Sequence, residues 1–271
     1  MTPLLRLLAL VGWSCIIAPI QLTALFLNGT AARRVPVTYH RVVLWIFGIS
    51  ITTEGEMRQQ RPTLFVGNHI SYLDIFVLGA MIEGCFVAKA EIATWPVAGF
   101  FAKLQRTIFV QRDRRASAGA QRDMLHQRLE EGGNVILFPE GTSYDGVRVL
   151  PFKSALFSAA ERKVGGHPVT VQPVSIAYVT MDGLPLTRAQ RPTVAWYGDM
   201  GLLPHIWTFL SARRTQVALR FHPPVSMEDH VNRRQLAAAC QAVIADGVTS
   251  MVSGRESQPR LTAPAPSVQS A

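Results

Sequence analysis

The sequence contains few charged residues and very little lysine. Charged side chains make up 17% of the 271 residues, below the roughly 25% of an average soluble domain. Only four of the 27 basic residues are Lys, and with 18 acidic residues the formal net charge is +9. Hydrophobic residues reach 48%, which excludes an intrinsically disordered chain. A basic, apolar composition is typical of proteins that meet nucleic acid or an anionic membrane, and the high apolarity favours the membrane.

Cysteine is also scarce, with Cys15, Cys85 and Cys240 as the three examples. No C-x-x-C pair exists, which argues against a zinc site or a redox dithiol, and three widely spaced cysteines do not make a disulfide framework. Nucleic-acid-binding motifs and basic stripes interleaved with aromatic residues are missing too, so we expect no nucleic-acid partner.

The longest apolar run covers residues 7–27 and contains no charged side chain. At about 1.5 Å per residue, such a helix could cross the roughly 30 Å hydrocarbon layer, although Pro19 and Gln21 weaken that interpretation. Three alternatives remain: a spanning helix; a helix that re-enters or lies in the interface, with residues 42–51 as a second apolar helix; and a cleaved signal peptide. The third is disfavoured because the run exceeds the usual ~7–15 apolar residues.

Strand and helix patterns alternate after residue 60. Apolar strand-like runs lie at 63–67, 85–88, 107–111, 135–138, 169–177 and 216–221, and helical patterns lie at 72–82, 96–104, 117–131, 152–163 and 228–252. This alternation predicts an α/β fold, a mixed central sheet flanked by helices and preceded by an N-terminal membrane-embedded helix or helix pair. We expect anchoring helices in 1–51, the catalytic or binding domain in 52–252 and a disordered tail in 253–271.

His69 and Asp74 stand in a turn that follows a strand and opens a helix, the place where α/β proteins carry their sites. Ser71 with Asp74 three residues later also fits a capping box, which is a purely structural interpretation. On the catalytic interpretation, His69 folds back onto Asp74, which fixes the imidazole tautomer and raises its basicity. The other nitrogen then takes a proton from a substrate hydroxyl, so that the substrate supplies the nucleophile.

A second turn, Phe-Pro-Glu-Gly-Thr at residues 138–142, ends another apolar strand. Pro139 stops the strand, and Gly141 gives the backbone the freedom for a tight turn. If the two strands are parallel, Glu140 lies at the same edge of the sheet as His69.

Together the two turns resemble the glycerolipid acyltransferase family, typified by 1-acylglycerol-3-phosphate acyltransferases. The family signature N-H-x-S-x-x-D stands at 68–74, F-P-E-G-T stands at 138–142, and supporting blocks lie at 89–96, 108–112 and 171–174. The resemblance implies a lysolipid O-acyltransferase in which the acceptor hydroxyl attacks an acyl thioester of acyl carrier protein or acyl-CoA. It implies no acyl-enzyme, no metal and no cofactor.

The resemblance also implies roles for residues and a location. His69 would be the general base, and Asp74 would orient it. Glu140, Gly141 and Thr142 would bind the acceptor head group, Arg112 would add positive charge, and Pro173 would shape the acyl or thioester pocket. Asn68 and Ser71 belong to the same implied substrate site. The enzyme would work on membrane lipid at a bacterial-type inner membrane, with its active site on the cytoplasmic side.

Position 143 departs from many phosphatidate-forming members, which carry Arg after F-P-E-G-T where this chain has Ser143. The stretch 141–154 resembles the branch that acylates lyso-ornithine lipid, whose head group carries an amine and a carboxylate. Asp145 is a candidate partner for the amine, and Arg148 or Lys153 for the carboxylate. Either cation could instead bind a phosphate, so 1-acylglycerol 3-phosphate is the alternative acceptor. A basic membrane-binding protein without catalysis is the non-enzyme alternative.

Overall fold

The computed structural model describes residues 1–27, 30–111 and 118–254. Its helices are α1 (Pro3–Phe26), α2 (Ala31–Phe47), α3 (Leu73–Met81), α4 (Pro96–Leu104), α5 (Ala118–Glu130), α6 (Leu202–Ser211) and α7 (Arg233–Ser253). Its strands are β1 (Ile49–Glu54), β2 (Thr63–Gly67), β3 (Gly84–Lys89), β4 (Ile108–Val110), β5 (Asn134–Leu137), β6 (Lys163–Val164), β7 (His167–Pro168), β8 (Thr170–Met181), β9 (Leu184–Pro185) and β10 (Thr215–Phe221).

A mixed sheet forms the centre of the fold, in the order β1-β10-β8-β2-β5-β3-β4, with β9 added beside β8. Strand β2 runs parallel to both of its neighbours, β5 and β8, whereas β8 and β10 are antiparallel. Because β2 and β5 are parallel, the turns that follow them emerge at the same edge of the sheet. The α/β prediction with a mixed central sheet is confirmed.

Helices cover both faces of this sheet. On one face, α2, α3 and α6 pack against alternate strand residues such as Phe65, Ile136 and Ile176. On the other face, α5, α7 and the short 3₁₀ helix Ser154–Glu161 pack against residues of the opposite parity, such as Leu64 and Val135. Successive side chains along each strand therefore point into two separate hydrophobic cores, one on each face of the sheet.

Three predicted elements differ from the structure. The second apolar helix does not cover 42–51: α2 ends at Phe47, Gly48 adopts a left-handed φ of 71°, and β1 starts at Ile49. Glycine tolerates that conformation, and the β-branched residues after it suit a strand. The 152–163 pattern forms the 3₁₀ helix rather than an α-helix. Helix α7 begins at Arg233 instead of 228, where the Asn232 side chain caps the backbone N–H groups of residues 234 and 235.

Helix α1 lies along the domain, and both of its ends are bonded to it. The guanidinium of the buried Arg6 donates to the carbonyl oxygens of Leu210, Ala212 and Arg213 at the end of α6. Gln21, also buried, donates to the carbonyl oxygens of Ala32 and Leu104. The outer side of α1 carries a row of exposed apolar side chains, which are Leu4, Leu5, Leu8, Val11, Ile16, Ile20 and Leu22.

By length and composition, α1 and α7 are each able to cross a membrane. For α7 the packing explains the composition, because Leu236, Ile244 and Val248 are buried in the core beneath the sheet. The apolar residues on the outer side of α1, in contrast, are not covered by any of the described residues.

Candidate active site

His69 and Asp74 meet at the carboxyl end of β2, where the chain turns into α3. The imidazole Nδ1 lies 2.9 Å from Asp74 Oδ2, and the ring stacks on Phe138 with centroids 4.2 Å apart. The carboxylate is fully buried, whereas the His69 side chain is 21% exposed. His69 Nε2 forms no hydrogen bond within the described chain, so this nitrogen is open to a ligand. The structure therefore brings the two predicted residues together in the geometry of a general base.

Within the described residues, Asp74 is held by four hydrogen bonds and contacts no Lys or Arg side chain. Besides His69, the backbone N–H groups of Ile70 and Ser71 donate to Oδ2, at 2.6 and 2.9 Å. The other oxygen, Oδ1, accepts from the hydroxyl of Tyr178 at 3.0 Å. Burial raises the pKa of Tyr178 well above its usual value, so the phenol stays protonated and remains a donor.

Tyr178 was not predicted from the sequence. It lies on β8, more than a hundred residues from Asp74, and the only local sign of its position is an apolar strand pattern. A buried tyrosine hydroxyl needs a partner, but the sequence does not say which one. The pairing of β8 with β2 brings the hydroxyl to Asp74.

The capping box at the start of α3 forms only in part. Asp74 Oδ2 accepts from the backbone N–H of Ser71, as the box requires. The Ser71 hydroxyl, however, accepts from Leu73 N at 3.0 Å instead of from the backbone N–H of residue 74, and α3 begins at Leu73. The carboxylate thus serves the helix start and the imidazole at once, so the structural and catalytic interpretations do not exclude each other.

Glu140 links the two sequence motifs. One carboxylate oxygen accepts from the backbone N–H of His69 at 2.7 Å, and the other accepts from Leu150 N at 2.8 Å. Burial raises the pKa of Glu140 to about 7, opposed by these two N–H groups. The side chain therefore contacts the backbone that carries the imidazole, and both of its oxygens are already occupied.

The loop after Glu140 wraps around the His69 turn. Gly141 takes a left-handed φ of 77°, and the exposed Thr142 follows it. The Ser143 hydroxyl donates to the carbonyl of Trp196, and Tyr144 N donates to the carbonyl of His69 at 2.9 Å. Ser143 thus joins the 138–148 loop to the segment before α6.

Asp145 and Arg148 bind each other. One Asp145 oxygen accepts from the backbone N–H groups of Val147 and Arg148, and the other lies 3.2 Å from Arg148 Nε. Burial of Asp145 opposes ionisation, but the hydrogen bonds from Arg148 and Val147 outweigh it and lower its pKa. The Arg148 side chain is 72% exposed and also donates to the Tyr144 hydroxyl. The two predicted head-group residues therefore form a surface pair at the rim of the site.

The remaining predicted residues fall into three groups. The Asn68 amide bonds in both directions with the backbone of Ile176, which fixes the end of β2 to β8. Pro173 is buried within β8, in register with Val66. The Lys153 side chain is exposed. Arg112 lies outside the described residues. Among the residues that are described, no cluster of three or more His, Cys, Asp or Glu side chains is placed to hold a metal ion.

Known proteins are similar to this chain in sequence and in fold. An acyltransferase family profile matches residues 48–177. The chain is 41% identical over 251 residues to a lyso-ornithine lipid O-acyltransferase of Brucella abortus, covering 92% of this chain and 94% of the relative. A lyso-ornithine lipid O-acyltransferase of Rhizobium meliloti is 36% identical over 265 residues, covering 97% and 91%.

A related activity is also represented. A 1-acyl-sn-glycerol-3-phosphate acyltransferase of Neisseria gonorrhoeae is 30% identical over 187 residues, covering 68% of this chain and 69% of the relative. The crystal structure of a 1-acyl-sn-glycerophosphate acyltransferase from Thermotoga maritima superposes with a TM-score of 0.62 at 22% identity, covering 95% of this chain and all of that one. From the near-complete match to the first two relatives, the chain belongs to the acyltransferase family and is an acyltransferase enzyme.

Proposed function

We propose that this enzyme transfers a fatty acyl group from a thioester to the free hydroxyl of lyso-ornithine lipid at a membrane surface. The observation that carries the chemistry is the His69–Asp74 pair: Nδ1 is bonded to a buried carboxylate, the side chain is partly exposed, and Nε2 has no hydrogen-bond partner among the described residues. A base placed in this way suits an acceptor hydroxyl that arrives from outside the protein.

The proposed reaction has one transfer step and no acyl-enzyme. His69 Nε2 takes the hydroxyl proton of the acceptor while the hydroxyl oxygen attacks the thioester carbonyl, and Asp74 stabilises the imidazolium that forms. Collapse of the tetrahedral intermediate breaks the carbon–sulfur bond, and the imidazolium returns the proton to the leaving thiolate. The hydroxyl of the neighbouring Ser71 is buried and bonded to Leu73 N, so the substrate supplies the nucleophile.

The predicted substrate residues take different proposed roles. Asn68, Ser71 and Glu140 hold the backbone of the site in this proposal, since their side chains are bonded to main-chain groups. These groups belong to Ile176 for Asn68, to Leu73 for Ser71, and to His69 and Leu150 for Glu140. Gly141 is buried in the turn and Thr142 after it is exposed; these two residues are the proposed contacts of the acceptor head group. Asp145 is the proposed partner of the head-group amine. We keep Arg148, Lys153, Pro173 and Arg112 as predicted contributors to the substrate site.

The acceptor proposal rests on two independent observations. The two relatives that match nearly the whole chain are lyso-ornithine lipid O-acyltransferases. In addition, Ser143 occupies the position where Arg would meet a phosphate, and its hydroxyl is bonded to the Trp196 carbonyl. The second candidate acceptor is 1-acylglycerol 3-phosphate, which the Neisseria relative favours.

The proposed donor is an acyl thioester of acyl carrier protein or of coenzyme A. Both are water-soluble carriers, so the transfer belongs at the cytoplasmic face of the inner membrane. We propose that residues 1–51 hold the enzyme there and that 52–252 form the acyltransferase domain. The tail predicted for 253–271 lies, from 255 onward, outside the described residues.

The contacts of α1 favour an interfacial helix over a spanning one. Arg6 and Gln21 are bonded to the same domain from opposite ends of the helix, whereas a helix that crosses the bilayer carries its far end away from that domain. The exposed apolar row then dips into one leaflet while the other side rests on the protein.

The acceptor proposal is tested by a direct comparison of lysolipids. Purified enzyme in vesicles receives labelled acyl–acyl carrier protein with lyso-ornithine lipid or with 1-acylglycerol 3-phosphate, and the same pair is repeated with acyl-CoA. We expect the larger kcat/KM for lyso-ornithine lipid. A larger value for 1-acylglycerol 3-phosphate would reverse the acceptor assignment, and acylation of neither would remove the proposed function.

A further inference from the structure

Arg191 is a buried cation beside the proposed head-group site. It starts the 3₁₀ turn Arg191–Thr193, is 8% exposed, and donates from Nη1 to the carbonyl of Gly146 at 3.2 Å. In the described part of the chain no carboxylate oxygen comes within salt-bridge distance of its guanidinium. Burial lowers the pKa of Arg191, and the nearby charge of Asp145 partly opposes this. A desolvated charge without a paired anion is costly unless something compensates it.

The position of Arg191 is tied to the catalytic turn. Its acceptor, Gly146, packs so closely on Ile70 that a Cβ there would meet the Ile70 side chain at 3.0 Å. On the same segment as Arg191, Trp196 N donates to the carbonyl of Ile70 at 3.0 Å. Ile70 directly follows His69, so the residue that accepts from the guanidinium packs on the turn that carries the proposed base.

Part of the guanidinium is available for a ligand. Nε and Nη2 of Arg191 form no hydrogen bond with the described residues. Neither nitrogen is completely buried, so a ligand is able to reach both. These two nitrogens lie on one edge of the planar group, and that edge is the one that binds a carboxylate through two parallel hydrogen bonds.

The charges around this edge suit a zwitterion better than a simple anion. Asp145 influences Arg191 electrostatically but does not form a salt bridge with it. Opposite charges held apart in this way offer one contact to an amine and another to a carboxylate. Arg148, which with Lys153 was a predicted partner of the carboxylate, is largely exposed and already paired with Asp145.

We propose that Arg191 binds the carboxylate of the acceptor's amino-acid head group and so selects zwitterionic lysolipids. The proposal rests on the proposed function, because it names the contact that distinguishes the acceptor at that same site. The competing role is structural, in which Arg191 only holds the 144–148 loop through the Gly146 carbonyl.

A substrate with a blocked carboxylate separates the two roles. Wild type and Arg191→Gln are assayed with lyso-ornithine lipid and with its methyl ester, which keeps the amine and the hydroxyl. Loss of a charge-assisted, two-point contact is worth about tenfold to a hundredfold in kcat/KM. We expect that loss for Arg191→Gln on lyso-ornithine lipid, a similar loss for wild type on the ester, and no further loss for the variant on the ester.

The ester also reports whether the variant is folded, because equal ester rates in the two proteins require an intact active site. Arg188→Gln is the matched control, since Arg188 lies three residues earlier in the same segment and is exposed, and it should behave as wild type on both substrates.

An equal loss on both substrates for Arg191→Gln would assign Arg191 to loop structure and overturn the proposal. If wild type acylates only 1-acylglycerol 3-phosphate and Arg191→Gln weakens that reaction, the bound anion is a phosphate and the carboxylate assignment is wrong. If wild type acylates neither lysolipid, the proposed function itself fails.

Discussion

The Tyr178 hydroxyl donates a 3.0 Å hydrogen bond to Oδ1 of Asp74, from the middle of β8 to the first turn of α3. It is the one partner of that oxygen in the described structure, whereas Oδ2 has three. Tyr178 is therefore a positioning residue for the carboxylate that orients His69, and the dyad depends on a strand that the two sequence motifs do not include.

Tyr178→Phe should leave Oδ1 buried without a donor. We expect the free energy of unfolding to fall by about 1–3 kcal/mol and acyl transfer to fall by roughly tenfold. The carboxylate also becomes more basic and holds the imidazolium more strongly, so the acid limb of the kcat/KM profile should shift to higher pH. The measurement is the pH–rate profile in detergent micelles.

Tyr39→Phe is the matched control, because it removes another part-buried tyrosine hydroxyl bond, to Ser14, far along the chain from Asp74. It should keep the wild-type pH profile. If the acid limb of the Tyr178→Phe profile lies at the same pH as in wild type, Tyr178 has only a packing role. This holds whatever the value of kcat/KM at the plateau.

Glu140 predicts a pH dependence of stability. Its native pKa is raised to about 7, mainly by burial, so the native state holds the proton more tightly than the unfolded chain does. The contribution of Glu140 to the free energy of unfolding should therefore be largest below about pH 4.5 and should decline as pH rises to about 7, by roughly 3 kcal/mol at most.

The measurement for Glu140 is the difference in unfolding free energy between wild type and Glu140→Gln across this window. The glutamine also turns an N–H₂ group toward one of the two backbone donors, at His69 or Leu150, so we expect acyl transfer to fall about tenfold or more. A difference that is constant from pH 4.5 to 7 would show that the pKa of Glu140 is not raised in the native state.

Cys15 gives a direct probe of how α1 meets the bilayer. Its side chain is exposed near the middle of α1, whereas Cys85 and Cys240 are buried, so a nitroxide should attach at position 15. An interfacial helix places this label at the same shallow depth as labels introduced by Leu8→Cys and Leu22→Cys in a Cys15→Ser background. A depth profile that peaks at position 15, measured by oxygen and nickel-chelate collision, would instead show a spanning helix.

The apolar row of α1 should be needed for membrane binding. Leu8→Glu combined with Ile16→Glu places two carboxylates among exposed apolar side chains, and we expect partition into anionic vesicles to fall by at least about tenfold. Val231→Glu is the control, because Val231 is 84% exposed but precedes α7 on the other face of the sheet. Undiminished sedimentation of the double variant with vesicles would locate the membrane contact elsewhere.

The local elements and motifs of this fold could be predicted from the sequence, but the contacts between distant residues could not. The 63–67 and 135–138 runs predict β2 and β5 because apolar β-branched stretches end in Gly or Pro at the sheet edge. The motif spacing then brings His69, Asp74 and Glu140 together. The start of β1 was not predicted because residues 42–51 are apolar apart from Gly48 and Ser50, and the left-handed Gly48 separates helix from strand.

Contacts made across the sheet could not be predicted in the same way. Tyr178 and Arg191 lie in segments without a motif, and their roles come from β8 pairing with β2 and from the Gly146 carbonyl. Even within the motif, the family resemblance implied that Glu140 binds the acceptor head group, whereas its two oxygens accept from the backbone of His69 and Leu150.

The measurement that tests the account most directly is acyl transfer by His69→Ala, with wild type and His167→Ala assayed in the same vesicles. His167 is an exposed histidine of β7 and should not matter. We expect His69→Ala to lose about 10²–10⁴-fold in kcat/KM while it binds vesicles as wild type does. Acyl transfer within tenfold of wild type would contradict the assignment of His69 as the base.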